Sequence, residues 1–275
     1  MSYKASFDLP TVQPVRFFIE HGWGEGEYAH PTQHFHPELE LYVHLEGNVS
    51  FMVEDTVHPV REGDVILSRP YEYHHCIYHD TAMHRHYWIL ISCEGNEALL
   101  RPFLDRTEGI GNHIVLSEEN RHRLISVCRT LCEELPENDI TRFSLLLRLL
   151  TLLLGGTTHG TDADLPADVM CVMAYIDTHM RSSLTVREMA GAAHTSVNTL
   201  ERHFRAALGI TPCEFLRVRR LTKARELLEK GASVQETSDA CGFPDYSHFI
   251  SLFRRRFGVT PLQYRRLHAA SEQKD

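Results

Sequence analysis

The chain repeats itself, and the repeat constrains its fold more than any other feature. Leu200-x3-Phe204-x4-Gly209-x-Thr211-Pro212-x2-Phe215 returns 49 residues later as Phe249-x3-Phe253-x4-Gly258-x-Thr260-Pro261-x2-Tyr264. Upstream, Val186-x-Glu188 returns as Val234-x-Glu236 at an offset of 48, so the second copy carries one extra residue between its two helices. Each Gly-x-Thr-Pro is a helix stop followed by a start: glycine takes the left-handed C′ position, threonine caps, and proline fits the first helical turn. In the first copy Thr185 caps a short helix through Ala193, with Met189 facing inward and Ala190 small enough for a close helix crossing. Ser196 caps the next helix, which buries Leu200 and Phe204. In the second copy Ser233 and Asp245 are the caps, Gly242 makes the turn, and Phe249 and Phe253 are buried. Each copy therefore reads as a helix-turn-helix.

What these helices leave outside is polar and basic. Asn198, Glu201 and Arg202 in one copy, and Ser247, His248 and Ser251 in the other, stand where a helix in a major groove meets base edges. Ser196, Arg205, Arg254 and Arg255 are placed to meet phosphates. Outward arginines on helical hairpins commonly do no more than solvate the surface, and a single copy would carry little weight. Two copies in a basic half reverse that balance. The net charge is −9, but residues 1–165 hold 12 Lys+Arg against 25 Asp+Glu, whereas residues 166–275 hold 16 against 12.

The first half reads differently. Val49–Val53, Val65–Leu67 and Tyr87–Ile91 are short apolar runs separated by Gly47, Pro59, Gly63 and Pro70, the pattern of a small all-β sandwich or barrel. Helical spacing follows at about 117–135, capped by Ser117 and stopped by Pro136, and again at about 139–154, ended by Gly155-Gly156. Phe143, Leu146, Leu147, Leu150 and Leu154 form one stripe of the second helix. Leu145, Leu149, Leu152 and Leu153 add apolar surface around the rest, which predicts a homodimer contact made by this helix together with the one at about 117–135, the alternative being a helix buried entirely within its own domain. Any ligand signal passed to the second half is expected to run through these two helices. Residues 157–165 have the composition of a linker.

Fourteen of the 19 histidines precede residue 166. His34, His36, Glu40, Tyr42 and His44 share even parity, so in a strand they lie on one face, which either lines an interior or meets water. Trp23, Tyr42 and Trp88 can stack on a sugar or aromatic ligand, or fill a barrel core.

From about Val169 to Arg266 the chain resembles the DNA-binding domain of the AraC/XylS family of bacterial transcription regulators. The most specific part is Ala240-Cys-Gly-Phe243-x2-Tyr246-x2-Phe249-x3-Phe253-x4-Gly258-x-Thr260-Pro261-x2-Tyr264-Arg265. The resemblance implies two helix-turn-helix units joined by a long helix from Pro212 to about Leu228. Ser238 stands where the family usually has alanine, and His194 occupies a turn position usually held by a smaller or apolar residue. His34-x-His36-x3-Glu40-x6-Gly47 and Gly63-x5-Arg69-x-Tyr71-x2-His74 look like the two motifs of a cupin barrel, with Tyr28, Tyr71 and Tyr78 departing from the pattern. That likeness implies either a metal held by His34, His36, Glu40 and His74 (Fe, Mn, Ni or Zn) or the same side chains as polar walls of an effector pocket, with no certain cofactor.

The expected fold class is two-domain: an N-terminal all-β cupin barrel of jelly-roll type plus two helices, over 1–156, a linker at 157–165, and a C-terminal all-α domain with two helix-turn-helix units over 166–275. The expected function is ligand-responsive regulation of transcription on promoter DNA. A sugar or other small metabolite serves as effector, the protein is a homodimer, and RNA polymerase is a partner if it activates. The alternative is a metal-dependent cupin enzyme, an oxygenase or isomerase, with a DNA-binding tail. No nucleophile–base motif or phosphate loop supports catalysis, so an enzyme is not expected. Seven cysteines without a CxxC pair, no signal peptide at Met1–Pro10 and no membrane span predict a cytoplasmic protein.

Overall fold

The computed structural model describes residues 16–25, 36–106, 109–134, 136–159 and 165–269. In the first half, β1 (Phe17–Glu25), β2 (Leu39–Glu46), β5 (Val65–Ser68), β7 (Met83–Ile91), β8 (His113–Val115) and β9 (Thr157–His159) form a six-stranded sheet in the order β1-β7-β2-β5-β8-β9. A three-stranded sheet, β4-β3-β6, is built from β3 (Val49–Val53), β4 (Thr56–Pro59) and β6 (His74–Tyr78). The two-sheet barrel expected from the short apolar runs is present.

Strand β2 shows how its alternating residues are used. Leu39, Leu41 and Val43 join one cluster with Tyr87, Ile89 and Ile91 of β7 and with α1 (Glu97–Leu104), α2 (Glu118–Arg129) and α3 (Asp139–Leu154). Glu40, Tyr42 and His44 point the other way and are buried as well, each at most 4% exposed. The even face of β2 therefore lines the barrel interior and does not meet water.

Ser117 caps α2 by accepting from Asn120 N, and the helix ends in a wider π-turn, Thr130–Glu134. Asn138 caps α3. The buried stripe of α3 is Leu146, Leu149, Leu150 and Leu153, rotated from the stripe expected from the sequence: Leu147 is half-buried and Leu154 is 52% exposed. The leucines crowd almost the whole circumference of this helix, so periodicity alone does not choose a face. Thr157–His159, expected to open the linker, pair with β8 as an edge strand instead.

Among the described residues the second half is built from helices: α4 (Ala167–His179), α5 (Val186–Ala192), α6 (Val197–Leu208), α7 (Pro212–Glu229), α8 (Val234–Ala240), α9 (Tyr246–Phe257) and α10 (Pro261–Ala269). Capping boxes start three of them, Thr185 with Glu188, Thr211 with Glu214, and Ser233 with Glu236. Gly209 and Gly258 end α6 and α9 in the left-handed conformation. In the turn between α8 and α9, Gly242 has φ +70°; its counterpart between α5 and α6 is His194, at φ +51°. The unusual residue at 194 thus fills a left-handed turn position that its sister copy gives to glycine. One core gathers Met189, Leu200, Phe204 and Phe215, and a second gathers Leu221, Phe249, Phe253 and Phe257.

The halves touch through the three-stranded sheet. The hydrogen bonds shown between them arise from Glu54 and Asp55 in the β3–β4 turn and from His75 on β6, not from α2 and α3 as expected.

Candidate functional site

Two surfaces carry the candidate chemistry. On the first, Ser196 caps α6 by accepting from Thr199 N, and Asn198, Arg202 and Arg205 are exposed beyond it, with Glu201 half-buried. On α9, Asp245 caps by accepting from His248 N, and Ser247, His248, Ser251, Arg254 and Arg255 are all exposed. A shallow groove there is lined by Ser247, Ile250, Ser251, Arg254, Arg255 and Thr260. The exposed guanidinium groups of Arg202 and Arg205 on α6, and of Arg254 and Arg255 on α9, suit both faces to a polyanion. Arg256 differs from its neighbours. It is 3% exposed and turned inward onto Glu54.

The second surface is the barrel interior. His36 Nε2 lies 2.8 Å from Glu40 Oε2, and His74 Nε2 lies 3.1 Å from the same oxygen. His74 Nδ1 donates to the Glu72 carbonyl at 2.8 Å, which fixes that nitrogen as the proton carrier and turns Nε2 toward Glu40. Burial alone would raise the Glu40 carboxyl, but the charge of His74 and hydrogen bonds from His36, His74 and Trp88 outweigh it and hold Glu40 well below the usual carboxylate range. Burial lowers His74, yet Glu40 and the Glu72 carbonyl overcome it and the imidazole is raised above its ordinary value. One atom from each of His36, Glu40 and His74 falls within 4.8 Å of the others. Two imidazoles and a carboxylate, one imidazole oriented by a backbone carbonyl, fit a divalent transition metal.

Deeper in, Trp88 and Ile66 lie opposite Tyr42 in register. The Tyr42 ring stacks on His86 at 4.7 Å, and Tyr78 meets His84 at 4.5 Å. Burial, with His84 and His44 adding to it, pushes His86 down to about 4, and burial also lowers His44. These imidazoles are neutral at pH 7 and offer one donor and one acceptor each.

The structure thus brings together His36, Glu40, Tyr42, His74 and Trp88. His34 lies outside the described residues, and only the backbone of Trp23 is described. The sequence reading missed His58, His84 and His86. The signal was available: His84, His86 and Trp88 share a parity opposed to Tyr87, Ile89 and Ile91, the same alternation that marked β2.

Residues 21–153 match the model of the AraC-like ligand binding domain, and residues 189–267 match that of a helix-turn-helix domain. The chain belongs to the AraC family of transcription regulators. Among its relatives, the probable transcriptional regulator LumQ of Photobacterium leiognathi is 25% identical over 169 residues, 60% of this chain and 68% of LumQ. The transcriptional activator RhaS of Escherichia fergusonii is 33% identical over 130 residues, 47% of each chain, so this chain spans about half the length of that relative. Among solved structures, the DNA-binding domain of AdpA in complex with a target DNA is 30% identical; the match covers 40% of this chain and 100% of that one, with a TM-score of 0.38. No helix among the described residues is long and apolar enough to cross a membrane.

Proposed function

We propose that this chain is a cytoplasmic, effector-controlled regulator that reads promoter DNA with α6 and α9 in successive major grooves. The observation that carries the reading is the duplicated helix-turn-helix, whose two outward faces remain exposed while the rest of each unit is packed. Arg202 reads a base edge with Asn198, Ser247, His248 and Ser251, while Arg205, Arg254 and Arg255 meet phosphates. Residues up to 159 form the effector domain, 160–165 the tether, and 166–275 the DNA-binding domain. The effector is a sugar or other small hydroxylated metabolite held by the neutral imidazoles of the barrel; RNA polymerase is the further partner if the protein activates.

A metal, if one is part of the pocket, is held by His36, Glu40 and His74, where it supplies Lewis acidity toward a bound oxygen ligand. This triad is also the one feature that favours a cupin oxygenase or isomerase, so elemental analysis and turnover assays belong beside DNA binding.

On α3, Ile140, Ser144, Leu147, Thr151 and Leu154 follow 4-3-4-3 spacing on the outer side, with Ile140 84% and Leu154 52% exposed. That seam supports a homodimer through paired α3 helices. Selection from a random DNA pool tests the whole reading. The expected outcome is an enriched sequence bound far more tightly than random DNA, with affinity falling steeply as salt rises. A pool that never enriches refutes it.

A further inference from the structure

We infer that the β4-β3-β6 sheet is a shared wall that sets the placement of both recognition helices according to what the barrel holds. On β6 and the residues before it, side chains alternate between two audiences. His74 faces inward to Glu40, and Cys76 packs on the interior cluster with Tyr42 and Phe51. Tyr71, Tyr73, His75 and Ile77 face outward to the helical domain. The ring of Tyr71 lies 6.4 Å from that of Phe257 on α9. Tyr73 lies under the Arg256 guanidinium at 5.8 Å. His75 Nε2 donates to the Leu208 carbonyl at the end of α6, at 2.7 Å. Ile77 packs in one cluster with Met52 and Val57 of the wall and with Leu208 and Ile210. β6 and the residues leading into it, which touch the candidate effector site, thus also hold the ends of both recognition helices.

The β3–β4 turn makes the second attachment. Glu54, in the left-handed region at φ +54°, accepts from Arg256 Nη2 at 2.7 and 2.9 Å, from Thr222 Oγ1 at 2.7 Å and from Tyr73 N at 2.7 Å. Asp55 pairs with Arg219, which also reaches Asp177 at 2.6 Å. The Glu54 and Arg256 side chains are 5% and 3% exposed. A buried pair of this kind adds little net adhesion, because parting returns both charges to water, but removing one partner leaves a bare charge that the closed arrangement does not tolerate. It therefore specifies one docking geometry.

Tyr71 shows that the contact is built. It stands where the cupin pattern has glycine, at φ +64°, a left-handed conformation that disfavours any residue with a Cβ. Its N–H donates to the His36 carbonyl at 2.9 Å while its ring reaches α9. The tyrosine thus joins the backbone of a candidate ligand-holding residue to the second recognition helix.

The inference rests on the barrel being the effector pocket. Hydrogen–deuterium exchange and DNA binding on the full-length protein test it with three substitutions. Glu54→Gln keeps an oxygen for Tyr73 N but removes the charge, and Tyr71→Gly relieves the backbone while deleting the ring. Each is expected to raise exchange about tenfold or more at 206–210 and 254–258, with β2 and β7 unchanged. Each should also shift affinity for the selected DNA about fivefold or more, with random DNA unaffected. His74→Asn, which touches no residue of the helical domain, is expected to raise exchange at 206–210 as well. Wild-type rates across the helical half in both wall variants overturn the inference, as does faster exchange with unchanged DNA affinity. Wild-type rates at 206–210 in His74→Asn overturn the relay. A barrel that takes no effector leaves all these results standing and shows separately, as a ligand screen in which nothing alters the DNA affinity of the unsubstituted protein.

Discussion

Replacing His58 by leucine should make the ligand-binding half less sensitive to acid. His58 sits on β4 opposite Phe51, is 1% exposed, and has no hydrogen-bond partner for either ring nitrogen among the described residues. Burial, with the neighbouring His113 adding to it, pushes its pKa down from 6.5 to about 4. A base whose folded pKa is depressed binds fewer protons folded than unfolded, so stability is full above the unfolded value and is lost as pH falls from about 6.5 toward 4. With those two values the loss at about pH 5 is roughly 2 kcal/mol, rising to about 3 kcal/mol near pH 4. Leucine has no proton to take up and leaves no polar atom unpaired, so at about pH 7.5 the substitution should be neutral to within about 1 kcal/mol. The two tryptophans, Trp23 and Trp88, both belong to this half, so urea melts followed by tryptophan fluorescence report its unfolding separately from the helical domain. His58→Leu should gain roughly 2 kcal/mol on the wild type between about pH 7.5 and pH 5. Parallel pH profiles for the two proteins would falsify the assignment of a depressed His58.

Arg202→Ala should cost about 1–3 kcal/mol at one base-pair position and relax preference there, whereas Arg254→Ala should weaken binding to all sequences and reduce the salt slope by about 1; competition binding on single-position variants of the selected DNA separates them. Leu147→Asp with Leu154→Asp should leave a folded monomer, and sedimentation showing the unsubstituted protein already monomeric at high concentration removes the dimer seam. Gly242→Ala drives a Cβ into the Met180 carbonyl at φ +70°, and should destabilise the helical half by at least about 2 kcal/mol in thermal melts. Because Glu40 raises His74 against the effect of burial, protons compete for its Nε2 even above pH 6.5. Zinc affinity, read by titration with a fluorescent competitor, should fall as pH drops through that region and be lost in Glu40→Gln.

The helical domain was legible because its instructions are local. Caps, stop glycines and Phe or Leu at four-residue spacing act within one or two turns, and the caps at Thr185, Ser196, Thr211 and Ser233 all formed. The alternation along β2 exposed Glu40 and His44, but whether that face met water depended on strands far away in sequence. Leucine on nearly every side of α3 erased the phase of its buried stripe. Three-residue strands such as β8 and β9 carry too few residues to show a period. The pairing of Glu54 with Arg256 joins two domains, and an ordinary glutamate in a turn and one arginine among three give no sign of each other.

Strand β9 bears on how strongly the domains must hold each other. Because Thr157–His159 belong to the sheet, only five residues separate its last residue from Leu165, where the helical half begins to be described. Six virtual bonds span at most about 20 Å, whatever path they take. An undocked helical domain therefore stays at a local concentration on the order of millimolar beside the wall. Contacts that would be negligible between separate molecules count at that concentration.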